Sequence, residues 1–159
     1  STPGQFLVVE GSELVGGAGT DVLEGGDYLD ILVGGPGDDL LSGGAEADLF
    51  KWNSGDEGTP GDPASDTITD FSIAERDALD LSSLLSGEDS GNLTDYLHFE
   101  SSPGGTLVHV SSAGGFAGGY DAAAEDQTIL LQSVDLTALG GSDQEIVDAL
   151  LAGNNLIIG

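Results

Sequence analysis

Four aspartates recur at intervals of nine residues: Asp21, Asp30, Asp39 and Asp48. Each is the sixth residue of a nonapeptide that begins with two glycines, and the four copies read GGAGTDVLE, GGDYLDILV, GGPGDDLLS and GGAEADLFK. A Gly-Gly start can turn the chain tightly and aim carbonyl oxygens at one point. Calcium takes six to eight oxygen ligands from carboxylates and carbonyls. Each turn therefore offers half of a calcium site, and two stacked turns would complete it.

The elements that position these turns follow from the eighth residue of each copy, which is always large and apolar: Leu23, Leu32, Leu41 and Phe50. We expect the last three residues of each nonapeptide to form a short strand with this side chain pointing between two sheets. A nine-residue unit cannot bury such a side chain alone. The units must therefore coil and stack.

Composition narrows the possible functions of the 159-residue chain. Its 29 acidic residues face two basic ones, and the formal net charge of -27 disfavours nucleic acid and anionic membrane partners. Hydrophobic residues make up 38% of the chain, which predicts folding once a cation neutralises the carboxylates. Cysteine is absent, and no apolar run is long enough for a membrane span. Because the chain also lacks methionine and an N-terminal signal, we expect Ser1 to lie within a longer polypeptide.

No motif anchors catalysis. Neither GxSxG, nor a P-loop, nor an EF-hand register, nor HExxH is present, and carboxylate pairs are too common in this chain to be informative. His98 and His109 stand eleven residues apart without zinc-ligand spacing, so we assign them structural roles. We predict that the chain is not an enzyme, and that Phe50 and Trp52 plug the open end of the stacked coils.

The nonapeptides resemble the GGxGxDxUx repeats of RTX (repeats-in-toxin) proteins, which wind into a parallel β-roll with calcium between the turns. The resemblance implies stacking on alternate repeats, so that the turn 16–21 meets the turn 34–39 and the turn 25–30 meets the turn 43–48. It implies Ca²⁺ ligands from the aspartate carboxylates and turn carbonyls. The implied ligand residues are Gly16, Gly17, Ala18, Gly19, Asp21, Gly25, Asp27, Asp30, Gly34, Gly35, Pro36, Gly37, Asp39, Gly43, Ala45, Asp48 and, at the end of the roll, Asp66.

Two copies depart from the pattern at the fourth position, where Tyr28 and Glu46 replace glycine. Both belong to the same side of the roll. If this position needs positive φ, each departure costs on the order of 1 kcal/mol and weakens calcium binding on that side.

The seventh position of every copy is also apolar and should face outward: Val22, Ile31, Leu40 and Leu49. One interpretation is that the rest of the chain covers part of this surface. The other is a short β-rich surface with scattered apolar residues.

Downstream, residues 52–65 are rich in Gly, Pro and Asp and are predicted to form an acidic loop, in which Asp56, Glu57 and Asp62 are further candidate ligands. Residues 66–159 contain several strand-like segments and one capped amphipathic helix that starts after Ser142. We predict a mostly all-β chain with four parts. Residues 1–15 form a degenerate repeat or N-terminal cap, 16–51 the parallel calcium-binding β-roll, 52–65 the loop, and 66–159 a compact β-rich domain with one or two short helices.

Segments such as LDLSSLLSGED and VDLTALGGSDQEIVDALLAGNNL in this last part resemble the C-terminal target domain of type I secreted RTX proteins, particularly large repeat adhesins of Gram-negative bacteria. That resemblance implies a monomeric secretion and calcium-dependent folding module. It implies an extracellular or cell-surface location, with an ABC transporter, a periplasmic adaptor and an outer-membrane channel as transient partners. Two alternatives stay open: a calcium-dependent surface or glycan-binding module, and the tail of an RTX protease or lipase.

Overall fold

The computed structural model describes residues 11–89 and 91–159, so most of the predicted N-terminal cap, 1–15, lies outside the described residues. Eleven strands and one α-helix are present in these ranges. The strands are β1 (Glu13–Val15), β2 (Val22–Glu24), β3 (Ile31–Val33), β4 (Leu40–Ser42), β5 (Leu49–Lys51), β6 (Ala64–Ile68), β7 (Ala78–Asp80), β8 (Leu97–Ser102), β9 (Gly105–Val110), β10 (Gln127–Gln132) and β11 (Leu156–Ile157), and the helix is α1 (Asp143–Ala152).

Two sheets face each other. The first has the order β1-β3-β5-β7-β11 and is parallel throughout. The second has the order β2-β4-β6-β10-β9-β8 and is parallel except for β9, which runs antiparallel to both of its neighbours, β10 and β8. Odd and even repeat strands alternate between the sheets because each glycine turn sends the chain across to the opposite sheet. The fold is the expected parallel β-roll followed by a compact β-rich region with one helix.

The narrow interior of the roll is filled by one apolar side chain per strand. In the first sheet, Leu14, Leu32, Phe50, Leu79 and Leu156 stand in register. In the second sheet, Leu23, Leu41, Ile68 and Leu131 do the same. All nine are buried, which confirms the predicted role of the eighth position.

The strands after residue 63 extend both sheets of the roll. β6 pairs with β4, and β7 pairs with β5, so TITDF and ALDL continue the coil without the glycine pattern. Phe50 therefore lies in the middle of its sheet, and the expectation that it plugs an open end was wrong. One apolar core contains residues from both the repeats and the C-terminal region. The division at residue 66 stays a prediction.

The outward seventh position is not uniformly covered. Val22 and Leu40 are each 40% exposed, whereas Ile31 and Leu49 are partly buried. In the second sheet, scattered surface residues are thus the better description. α1 begins as predicted, since Ser142 Oγ accepts a hydrogen bond from the Glu145 N–H. No helix in the described ranges is long and apolar enough to cross a membrane.

Candidate calcium sites in the turns

The turns stack in two columns. Column A contains the turns 16–21 and 34–39, in which Gly17 N–H donates to Gly34 O (3.1 Å) and Gly19 N–H to Pro36 O (3.0 Å). Column B contains the turns 25–30 and 43–48, in which Ala45 N–H donates to Gly26 O (3.1 Å). Stacking on alternate repeats is therefore confirmed. A carbonyl oxygen that accepts one such bond keeps a second lone pair for a cation.

The sixth-position aspartates form a ladder in each column. Oδ1 of Asp39 accepts the backbone N–H of Asp21 (2.9 Å), and Oδ1 of Asp48 accepts that of Asp30 (2.9 Å). Each ladder then passes into the region after the repeats, because Asp39 N–H donates to Asp66 and Asp48 N–H donates to Asp77, both at 2.8 Å. Oδ1 of Asp30, Asp39 and Asp48 thus holds neighbouring coils together, and Oδ2 is the remaining oxygen of each repeat aspartate.

In three of the four repeats, that second oxygen is buried and has no hydrogen-bond partner: Oδ2 of Asp21, Asp39 and Asp48. A buried carboxylate oxygen without a donor is costly, which is the signature expected of a ligand to a cation. Since no group of three or more His, Cys, Asp or Glu side chains in the described ranges is placed to hold a metal ion, most further ligands would have to be backbone carbonyls. Calcium accepts such oxygens, and zinc-type sites do not fit.

The first glycine of a turn leaves room for this oxygen. A Cβ atom at Gly16 would lie 2.6 Å from Gly34 O and 2.7 Å from Asp21 Oδ2, so both oxygens face the space that a side chain would fill. At Gly34 and Gly43, a Cβ atom would lie within 2.4 Å of the Oδ2 atom of the same turn. The carboxylate itself therefore requires glycine at the first position of these turns, and the arrangement fits a Ca²⁺ ion.

Charge is concentrated along the ladders. Burial raises the pKa of Asp39 to about 7, and the nearby carboxylates of Asp66 and Asp21 act in the same direction. Burial likewise raises the pKa of Asp48 to about 7, reinforced by its acidic neighbours. The pKa values of Asp66 and Asp77 rise to about 6, again mainly through burial. Without a cation, these buried carboxyl groups therefore resist ionisation near neutral pH.

The turn 25–30 differs from the other three. Gly17, Gly35 and Gly44 have positive φ at the second position, whereas Gly26 at the second position and Tyr28 at the fourth position of this turn do not. Asp30 Oδ2 accepts the Gly26 N–H of its own turn at 2.8 Å. This carboxylate is satisfied internally, unlike those of the other repeats. We call this turn closed, because the Asp30 oxygen that would face a cation is bound by the backbone of its own turn. It is one of the two turns in which another residue, Tyr28, replaces the fourth glycine.

Glu46, the other departure, keeps the regular turn. Its φ is +74°, so it adopts the left-handed conformation that glycine would supply at this place. Backbone strain of about 1 kcal/mol is expected for a non-glycine residue in this region. The two departures have different consequences, a closed turn at Tyr28 and a strained but open turn at Glu46.

Asp66 occupies the next place in the column A ladder. Its Oδ2 accepts hydrogen bonds from Trp52 Nε1 (2.7 Å) and Gln127 Nε2 (3.0 Å), so both of its oxygens have protein donors. Asp66 closes the ladder in this structure, and its role as a calcium ligand stays a prediction. Trp52 is buried as the partner of Asp66.

Two of the three candidate ligands in the loop 52–65 make hydrogen bonds within that loop. Asp56 Oδ2 accepts the Asn53 N–H (2.8 Å) and Glu57 Oε1 accepts the Gly55 N–H (2.7 Å). The side chain of Asp62 is exposed. None of these three carboxylates approaches the aspartate ladders through a hydrogen bond among the described residues.

Two aspartates that we did not select complete column B. Asp77 accepts the Asp48 N–H, and Asp70 accepts both Gly43 N–H (2.9 Å) and Gly44 N–H (2.8 Å), in place of the carbonyls that a further turn would present. The sequence signal was available: Asp77 precedes ALD as Asp48 precedes LFK. Without the glycines, the spacing gave no reason to align them.

Comparison with known proteins supports this assignment of the repeats. Residues 15–50 match the RTX calcium-binding nonapeptide repeat in four copies. No curated protein matches the chain significantly. The solution structure of the AlgE6R2 subunit from the Azotobacter vinelandii mannuronan C5-epimerase is similar, with 24% identity, coverage of 91% of each chain and a TM-score of 0.52. The AlgE6R3 subunit of the same epimerase has 24% identity over 99% of this chain and 83% of that chain, with a TM-score of 0.48.

These findings define the class of the repeat region as an RTX-type parallel β-roll with calcium-binding nonapeptides. The likeness to the AlgE6R2 subunit shows a shared fold.

Proposed function

We propose that this chain is a calcium-dependent folding module of a secreted protein and has no catalytic role of its own. The observation that carries the proposal is the row of buried, partnerless Oδ2 atoms on Asp21, Asp39 and Asp48. The proposed ligands are these oxygens and the turn carbonyls. A bound Ca²⁺ ion supplies positive charge where the ladders concentrate negative charge.

The aspartates and glycines of the repeats make folding depend on a bound cation. Without a cation, stacking two coils brings aspartates such as Asp21 and Asp39 together in a buried environment, and their repulsion opposes the gain from burying Leu23 against Leu41. The glycine turns have high conformational entropy in the unfolded chain, which adds to the cost. Ion binding therefore becomes folding free energy.

The biological setting that fits this chemistry is type I secretion. In a calcium-poor cytosol the chain stays extended and can thread an export channel formed by an ABC transporter, an adaptor and an outer-membrane channel. Outside the cell, at about millimolar calcium, the roll folds as a monomer and opposes return. We propose a large Gram-negative adhesin as the parent protein, with this module near its C-terminal end.

The first experiment is a calcium titration of chelator-stripped protein followed by far-UV circular dichroism, with magnesium as the control ion. A cooperative gain of β-structure between about 0.1 and a few millimolar calcium, without a response to magnesium, supports the folding proposal. A chain already folded in chelator contradicts it.

Export is tested separately with a reporter fused to the chain in a strain that carries a type I system. We expect the intact fusion to reach the medium and a fusion lacking residues 100–159 to remain inside. Asp39→Asn in the intact fusion measures separately what calcium-driven folding contributes to export, because it alters the proposed calcium site and leaves the C-terminal segment unchanged. Equal export of the truncated and intact fusions contradicts the secretion role without affecting the folding proposal.

A further inference from the structure

A second cluster of ionisable groups lies outside the calcium turns, on the outer face of the hairpin formed by β8 and β9. His98 and His109 stand directly opposite each other on the two strands, and their rings stack with centroids 5.5 Å apart. Tyr120 covers both rings, at 4.9 Å from His98 and 4.5 Å from His109. Three carboxylates complete the group, which we call the histidine clasp: Glu100, Glu125 and Asp143.

His109 lies between two carboxylates. Its Nδ1 contacts Oε2 of Glu125, and its Nε2 lies 2.9 Å from Oε1 of Glu100. Both His109 and Glu125 are buried, at 5% and 6% exposure. A neutral imidazole has one donor and one acceptor nitrogen, whereas an ionised carboxylate only accepts. While both carboxylates are ionised, hydrogen bonds to both of them require a proton on each ring nitrogen.

Other groups around the ring favour a proton on Nδ1, the nitrogen that faces Glu125. Tyr120 OH donates to the second oxygen of Glu125 (3.2 Å), so both oxygens of that buried carboxylate have partners only while the ring is protonated at Nδ1. Burial raises the pKa of Tyr120, and Glu125, Glu100 and Asp121 reinforce the rise, so the phenol remains a donor. Without the imidazolium, Glu125 would be a buried charge lacking a compensating cation.

The clasp joins segments that are distant in sequence. Glu125 belongs to the loop 112–126, and its carbonyl also accepts the Gly61 N–H of the acidic loop (2.9 Å). His98 Nδ1 pairs with Oδ2 of Asp143 at the start of α1 (2.8 Å), whose Oδ1 accepts the Phe99 N–H. In the described ranges, all close side-chain ion pairs contain a histidine.

We propose that His109 is held as an imidazolium and acts as a proton-dependent clasp that fastens the loop 112–126 to the β8–β9 hairpin. The ring proton joins two segments of this region, as calcium is proposed to join the turns of the repeats. The clasp weakens as pH rises, because loss of one ring proton leaves a lone pair facing a carboxylate. This inference does not rest on the proposed calcium function, since none of its groups belongs to the turns.

The test uses the full chain in saturating calcium, so that the roll stays folded while the clasp titrates. Long-range ¹H–¹⁵N spectra of the imidazoles report ring protonation, and hydrogen-exchange protection factors report the loop 112–126, between about pH 5.5 and 8.5. We expect both ring nitrogens of His109 to be protonated at the acidic end. We also expect loop protection to fall about tenfold across this range while β2 to β5 stay unchanged.

Two variants separate the clasp from general stability. In His109→Gln, loop protection should be low and independent of pH. Glu100→Gln provides a milder change, because the Glu100 side chain is 59% exposed, and by removing one of the two carboxylates that face the ring it should alter the pH dependence of loop protection. Glu24→Gln on the exposed edge of β2 removes the same charge away from the cluster and should behave like the wild type.

Two results would overturn the proposal. One is a His109 ring with a single proton throughout the range, whether or not Glu125 carries the other. The other is an equal pH dependence of loop protection in the wild type and in Glu100→Gln, which remains informative even if His109→Gln does not fold.

Discussion

Asp39→Asn should have opposite effects on stability with and without calcium. The substitution keeps Oδ1, which accepts the Asp21 N–H, and replaces the partnerless Oδ2 with a neutral amide nitrogen. In chelator at about pH 8, the variant should be more stable than the wild type, because a carboxylate whose pKa is raised to about 7 is forced to ionise there. In calcium it should be less stable, because the proposed ligand is gone.

The magnitude follows from the pKa of Asp39. A rise from 3.8 to about 7 corresponds to at most about 4 kcal/mol between the two protonation states. Pro36 and Asp38 in the same turn are exposed, so water screens part of the repulsion on Asp39. We therefore expect the substitution to stabilise the protein in chelator by about 2 kcal/mol. Loss of one charged ligand should raise the calcium midpoint on the order of tenfold.

Urea denaturation in chelator and in calcium, together with the calcium titration, measures these effects. Asp38→Asn is the matched control: it is the adjacent residue, loses the same charge and keeps the oxygen that accepts the Ser65 N–H. Its calcium midpoint should stay close to that of the wild type. If Asp39→Asn loses stability in chelator, or shifts the calcium midpoint no more than Asp38→Asn does, the assignment of Oδ2 as a poised ligand is incorrect.

Three further predictions concern the roll. Tyr28→Gly should open the closed turn and lower the calcium midpoint, with one more ion counted by equilibrium dialysis; an unchanged count contradicts the closed-turn interpretation. Lowering pH from about 8 to 6 should weaken calcium binding, since protons compete for Asp39 and Asp48, yet should raise β-content in chelator, because acid removes the buried charge. Leu41→Ala should cost about 3 kcal/mol of unfolding free energy in calcium, against less than about 1 kcal/mol for the exposed neighbour Leu40→Ala, and similar losses would contradict the assigned interior face.

The main features of the repeats could be predicted from sequence because a single nine-residue period determines them. Nine residues per coil dictate which side chain enters the interior, which turns meet and which aspartates align. Leu23, Leu41 and the turn stacking confirm this. The role of the calcium ligands remains a prediction, although the partnerless oxygens support it.

The later coils could not be predicted in the same way. Asp77 and Asn155 continue the first sheet, since Asn155 O accepts the Leu79 N–H and Asn155 Nδ2 donates to Asp77 O. They lie 78 residues apart, with no glycine turn to set their register. The pairing of Trp52 with Asp66 and the histidine clasp likewise depend on long-range contacts. Local pattern carries no information about such contacts.

The aspartate ladders make the N-terminal and C-terminal ends of the roll chemically different. In every step, the backbone N–H of one coil is met by a carboxylate from the following coil, so each unit is completed by its C-terminal neighbour. The last units end on Asp66 and Asp77, where Trp52, Gln127 and Ser72 occupy the remaining oxygens. At the opposite edge, β1 and β2 are the outermost strands of their sheets in the described ranges. Each repeat therefore depends on a carboxylate from its C-terminal side, and Asp66 and Asp77 supply this carboxylate where the glycine repeats end.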